Sequence, residues 1–224
     1  MDFEQRSYGG KVFRPRPEIH LEEDLRLIII ATPWGPRSGA QRVIEVIQDF
    51  YLSAQEDKEA TSPFDNLSCL SPAANNLRTA VMLANDTIYR EDNRNDYKHG
   101  LEVLVAARSH AEFVFVQIGQ PQVFLLRNTQ PMIALNHLSD FSVLRSSAEN
   151  SLPPLPQNLL GVHNSVQAQI FSVPIKETDK FLFLSRGVVS SSFLRWTADQ
   201  IHLESLASEL AHQEPQSAFW IGLL

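Results

Sequence analysis

A single cysteine, Cys69, stands in a chain of 224 residues, which excludes an internal disulfide framework and any C-x-x-C metal or redox motif. Cys69 itself reads as a small, half-buried side chain. Long apolar runs are missing too: none reaches the roughly 18 residues of a membrane-spanning helix, and no basic-then-apolar leader opens the sequence. The expectation is a cytoplasmic protein with no membrane partner. Positive charge is in deficit. With 19 Lys and Arg against 26 Asp and Glu, the formal charge is -7, without the basic footprint that a general nucleic-acid binder lays on phosphates. No nucleic-acid partner is expected, while protein and small-molecule partners stay open. The seven histidines, at positions 20, 99, 110, 137, 163, 202 and 212, lack ligand spacing such as i, i+4. They read as surface residues.

What is present is enough for a large core, since 43% of the residues are hydrophobic. Residues 1–17, with "YGGKVFRPRPE", read as a loose arm or edge strand of one domain spanning 1–224. "LRLIIIA" is a short apolar run ended by Pro33, a buried strand. Val43, Val46, Ile47 and Phe50 then recur at helical spacing, and Ser71 before Pro72 marks the start of a second helix with Leu77, Val81, Ala84 and Ile88 on one face. From residue 101 the period changes. "LEVLVAA", "EFVFVQIG", "QVFLLR" and "MIAL" read as an antiparallel meander, with a hairpin corner at Gly119, Gln120, Pro121 and Gln122. After the proline-rich "ENSLPPLPQ", either a polyproline ligand or a short loop, come strands at "QAQIFSVPI" and "KFLFLS". Thr197 with Gln200 forms a capping box before a third helix, and "AFWIGLL" closes the chain as a strand. Such segregated elements predict an α+β fold, not a βαβ alternation.

In order and spacing these segments resemble the metal-dependent type 2C (PPM) serine/threonine protein phosphatases, from about residue 10 to the C-terminus. The segments that carry the resemblance are "LIIIATPWGPRSGA", "ANDTIYRE…KHGLEVLVAA", "VQIGQPQVFLLRN", "KFLFLSRGV" and "EPQSAFWIGLL". Framework positions match at Ala31, Gly35, Asn85, Ile88, Gly100, Gly119, Leu126, Arg127, Ser185 and Gly187. The resemblance implies a four-layer αββα sandwich of two mainly antiparallel sheets flanked by helices. It also implies a site where carboxylates hold two divalent cations that activate a water.

The positions that should carry those carboxylates do not. Thr32 and Pro33 fall on the first Asp-Gly pair, Arg186 on the aspartate of Ser-Asp-Gly, and Pro215 with Gln216 on the final Asp-Asn. The corner where the family has Gly-Asp-Ser-Arg reads Gly119-Gln120-Pro121-Gln122. Near the N-terminus, the family's Glu-Asp pair falls loosely on Glu18 and Ile19. Hard cations need anionic oxygen ligands, so the resemblance implies a degenerate member, a pseudophosphatase with no cofactor and no metal. Trp34, in place of a small residue, either plugs the cleft or packs on the adjacent helix. Arg186 is permanently protonated and would repel a metal; it holds an anion, pairs with a nearby acid or simply reaches solvent. Arg14 and Arg16 fall near the family's phosphate-binding arginine, though "FRPRPE" is equally a solvated arm. The expected partner is a protein, a kinase or a phosphoprotein. Competing readings are an active phosphatase or other hydrolase with a relocated site, and a passive structural subunit. An N-terminal-nucleophile hydrolase would need a Ser, Thr or Cys at a processed terminus, and Ser190–Ser192 have no paired base in the sequence.

Overall fold

The computed structural model describes residues 3–23, 26–56, 63–136, 155–185, 189–213 and 215–224. They form two compact units. One comprises Pro17–Gly119 and Asn158–Ile175, the other Met1–Arg16, Gln120–Gln157 and Lys176–Leu224. Each is an antiparallel five-stranded sheet with helix packed on it, so the chain is α+β as its pattern predicts.

In the first unit the strands are β2 (Glu18–Leu21), β3 (Ile28–Pro33), β4 (Leu101–Ser109), β5 (Glu112–Ile118) and β8 (Gln169–Pro174), in that spatial order. The pleat sends alternate side chains to one face: Ile29 and Ala31 of β3, Val103 and Val105 of β4, and Val114, Val116 and Ile118 of β5. There they join Val43, Ile47 and Tyr51 of α1 (Arg37–Glu56) and Leu77, Val81, Ala84 and Ile88 of α2 (Pro72–Thr87) in one buried cluster. Each valine, leucine or isoleucine so buried contributes about 1.5 to 3 kcal/mol. The start of α2 follows its sequence signature, with Ser71 Oγ accepting from Ala74 N at 3.3 Å and Pro72 in the first turn.

In the second unit the order is β1 (Glu4–Tyr8), β10 (Phe219–Leu223), β9 (Lys180–Leu184), β6 (Gln122–Leu126) and β7 (Ile133–Ala134). Its helix, α3 (Leu203–Gln213), buries Leu203, Leu206, Ala207 and Leu210 against Phe124, Leu182 and Ile221. Within this unit the N-terminal segment supplies the edge strand β1. Arg127, following β6, makes a two-pronged ion pair with Asp179, with Nε to Oδ1 at 2.8 Å and Nη2 to Oδ2 at 2.6 Å.

Four local expectations need correction. The Gly119–Gln122 corner is not a hairpin: β5 pairs with β4 and β8, whereas β6 pairs with β7 and β9, so the chain changes sheets at the corner. The polar groups that a hairpin would use are taken by one side chain, since Asn136 Oδ1 accepts from Val123 N at 2.9 Å and Asn136 Nδ2 donates to Pro121 O at 2.8 Å. The capping box at Thr197 does not open α3, which starts at Leu203. Gln200 N instead closes a turn on Thr197 O, and the Thr197 hydroxyl bonds the Asp199 carboxylate at 2.6 Å. Cys69 is exposed, in the turn where Leu70 N reaches back to Leu67 O. His20 and His99 are half-buried rather than surface residues, and His20 Nε2 lies 2.8 Å from Glu22 Oε1. Of "ENSLPPLPQ", residues 149–154 lie outside the described residues, as does His137. No helix among the described residues is long and apolar enough to cross a membrane.

Candidate functional site

At the end of β3 the sequence departs from the expected motif. Thr32 and Pro33 are its last two residues, opposite Glu102 and Leu101 of β4. Proline lacks an N–H, and the ladder resumes one residue on, where Trp34 N donates to Gly100 O at 2.8 Å. Gly35 follows because nothing larger fits: a Cβ there would lie 2.1 Å from the Lys98 carbonyl oxygen.

Thr32 and Glu102 lie on the face of the sheet opposite the helices, and both are buried, Glu102 to 1% exposure. A buried carboxylate needs hydrogen-bond donors. Trp34 supplies one, its Nε1 donating to Glu102 Oε2 at 2.9 Å. Gly119 supplies room. Its φ of +89° suits glycine, and a Cβ at that position would sit 2.5 Å from Glu102 Cγ. Gln117 Nε2 donates to Gly119 O at 3.1 Å and anchors the end of β5. Glu18 of β2 lies opposite Ala31, and its Oε1 is 2.9 Å from Arg37 Nε in the first turn of α1. That pair is partly exposed, with the arginine side chain 68% accessible. It adds at most about 1 kcal/mol.

One unit thus brings together Glu18, Thr32, Pro33 and Trp34 from the sequence-derived set. Gln120, Arg14 and Pro215 belong to the other unit, where Gln120 is buried, Arg14 half-buried and Pro215 exposed. Arg186 lies outside the described residues. Glu102 and Arg37 stand outside the sequence-derived set. A signal for Glu102 existed, since it is the lone charge in the run "LEVLVAA", but its partner Trp34 could be found only through the β3–β4 register.

Among the described residues the arrangement offers little to a pair of hard cations. Its two carboxylates already face protein donors, an indole at Glu102 and a guanidinium at Glu18, and Thr32 and Pro33 bring no negative charge. Among the described residues no group of three or more His, Cys, Asp or Glu side chains could hold a metal ion. Divalent cations in two-metal phosphoester chemistry depend on several anionic oxygens to offset their charge.

No protein-family model matches the chain, and no curated protein matches it by sequence. Solved structures do match along its whole length. One is "PppA, a key regulatory component of T6SS in Pseudomonas aeruginosa", at 16% identity and TM-score 0.66, covering 99% of this chain and 96% of that one. Another is the PPM Ser-Thr phosphatase MsPP from Mycobacterium smegmatis in complex with cacodylate, at 13% identity and TM-score 0.64, covering 100% and 97%. A third is the Mycobacterium tuberculosis serine/threonine phosphatase PstP/Ppp, at 16% identity and TM-score 0.61, covering 99% and 97%. The fold of this chain is that of the PPM Ser/Thr phosphatases, two antiparallel sheets with flanking helices.

Proposed function

We propose that this chain, built on the PPM Ser/Thr phosphatase fold, is a single-domain pseudophosphatase that acts by binding a protein partner. The observation that carries the reading is the end of β3. Where the family places Asp-Gly, the chain has Thr32-Pro33, and the next residue, Trp34, spends its indole N–H on the buried Glu102 carboxylate. Residue type alone extends the argument to Arg186 and Pro215, neither of which offers an anionic oxygen, and to Gln120 at the corner. The partner in this reading is a kinase or a phosphoprotein in the cytoplasm, and no cofactor takes part. Regulatory use of the fold has a parallel in PppA, described as a regulatory component.

The deciding assay is hydrolysis of an aryl phosphate and of a phosphoserine peptide by the purified full chain with excess manganese or magnesium. Turnover is expected to equal that of a heat-denatured control, and Arg186→Asp alone is expected to restore none, because the positions of Thr32 and Pro215 still lack carboxylates. Metal-dependent turnover abolished by a chelator would overturn the reading. It would favour an active hydrolase with a non-standard site around Glu18 and Glu102, the two carboxylates flanking the end of β3. In that case Glu102→Gln should abolish the activity. Arg186 and Arg14 are assigned to an anion pocket in the same proposal. Wild type and Arg186→Ala, compared for binding a partner captured from the native host, should differ for its phosphorylated form only; equal loss for both forms would make Arg186 structural.

A further inference from the structure

Away from the strand ends, the C-terminal end of α2 carries an unusual backbone feature. The helix runs on from Thr87 into a π-helical turn, Ile88–Asp92, closed by Asn93 N donating to Ile88 O at 2.8 Å, five residues back. Widened turns of this kind occur often at functional sites. Here the extra residue brings positions five apart onto one side. Tyr89 and Arg94 accordingly line the same pocket, of about 460 Å³, together with Arg90, Asn93 and Tyr97.

The floor of this pocket is fixed. Asn93 is 4% exposed, and its side chain is fully used: Nδ2 donates to His99 O at 2.7 Å and to Gly161 O at 2.8 Å, while Oδ1 accepts from Lys98 N and His99 N at 2.9 Å. Most of the remaining lining is uncommitted. Arg94 and the hydroxyls of Tyr89 and Tyr97 make no hydrogen bond or ion pair with the described residues. Arg90 Nε lies 2.7 Å from Asp86 Oδ1. No carboxylate lines the pocket. Of the acids nearby, Asp86 is engaged by Arg90 and Glu91 by Arg42 at 3.3 Å, while Asp92 and Asp96 are exposed.

Two guanidinium groups, one of them paired with Asp86, and two phenols line the pocket with no carboxylate among them, a lining that suits an anion, and the two tyrosines bring aromatic rings that suit a planar group. Arginine serves both demands, since it pairs with phosphate and stacks on aromatic rings. The volume falls in the range of small-molecule sites, roughly 300 to 1,000 Å³. We propose that this pocket binds a nucleoside monophosphate, with the base against Tyr89 and Tyr97 and the phosphate on Arg94 and Arg90. The site is independent of the pseudophosphatase reading and stands or falls separately.

The test is titration of the full chain with AMP, adenosine and inorganic phosphate, followed by calorimetry and by amide chemical shifts. AMP should bind, with shifts concentrated at residues 88–98, and adenosine and phosphate should each bind about tenfold or more weakly. Arg94→Ala should weaken AMP about tenfold and leave adenosine nearly unchanged, whereas Tyr97→Ala should weaken both. Both side chains are exposed, so both variants should keep the wild-type thermal midpoint. The proposal is overturned if AMP does not bind at millimolar concentration, if neither variant changes its affinity, if the shifts fall elsewhere, or if phosphate alone binds as well as AMP.

Discussion

Asp179→Ala is expected to destabilise the protein by about 3 to 5 kcal/mol, the cost of removing one partner of a buried ion pair. The Asp179 side chain is 1% exposed, and three donors meet it: Nε and Nη2 of Arg127 and the backbone N–H of Lys176, the last at 2.9 Å. With the carboxylate gone, a guanidinium that is itself only 21% exposed loses the acceptor met by its Nε and Nη2. The same pair makes stability depend on pH. Burial alone would raise the Asp179 carboxyl, but the Arg127 hydrogen bonds, the Lys176 N–H and the nearby positive charge outweigh it and hold the group below the ordinary value of 3.8. A carboxyl depressed on folding contributes stability that is complete above its unfolded pKa and is lost as the pH falls through the folded value. Wild type should therefore weaken in acid below about pH 4, and Asp179→Asn should start less stable and lose less over that interval. Urea unfolding at neutral and acid pH measures both effects, and equal midpoints for wild type and Asp179→Ala at neutral pH would contradict the assignment.

Arg127 was also one of the positions at which the sequence resembled the PPM phosphatases, and the structure gives such positions a common character. Asn85 accepts from Gly161 N at 2.8 Å and donates to His163 O at 3.1 Å; Ser185 Oγ accepts from Trp220 N at 2.7 Å; Ile88 is fully buried. Each satisfies backbone or fills the core, tasks set by fold and indifferent to catalysis. Apolar pattern did the rest, through helical spacing in α1 and α2 and near-continuous apolar runs in β3, β4 and β5, which are buried on both faces. The pattern failed where pairing is decided at long range. β5 and β6 look like arms of a hairpin because a Gly-Pro corner joins two apolar runs, yet Phe115 of β5 stacks on Phe171 of β8 at 4.9 Å while β6 takes β9 as its neighbour. β2, with "EIHL", carries too little apolar signal to read as a strand, and its identity comes from the register with β3.

The candidate site divides along the same line. The substitutions at Thr32, Pro33, Trp34, Gln120 and Pro215 are visible in one dimension, since they rest on residue type against a motif. Glu102 is not, because its meaning depends on standing across from Thr32 and within reach of the indole of Trp34, just past the end of the neighbouring strand. An inactive reading drawn from lost carboxylates alone would overlook a buried carboxylate. With the geometry in view, Glu102 counts on the same side, as a charge already engaged by the protein.

Gly119→Ala should expose how tightly that charge is held, and its expected cost is about 3 kcal/mol. Part is conformational, because a φ of +89° costs an L-residue roughly 1 to 2 kcal/mol. The rest is a collision, since the new Cβ would stand 2.5 Å from Glu102 Cγ, 2.8 Å from its Cβ and 3.0 Å from Oε1. Glu102→Ala removes two of those three atoms, so Gly119→Ala should cost about 1 kcal/mol less in that background. It should not become free, because the backbone conformation and the Glu102 Cβ remain. Denaturant midpoints for wild type, both single variants and the double variant give the coupling directly, and strict additivity would rule out the contact as the source. A second signal separates this collision from general loss of stability. Glu102 displaced by the added methyl group would shift its bond to Trp34, so the emission difference between the Trp34-containing protein and a Trp34→Phe reference should change on Gly119→Ala while the protein is still folded. An unchanged difference would mean that the indole and the carboxylate move independently, and the end of β3 would lose the feature on which its inactive reading rests.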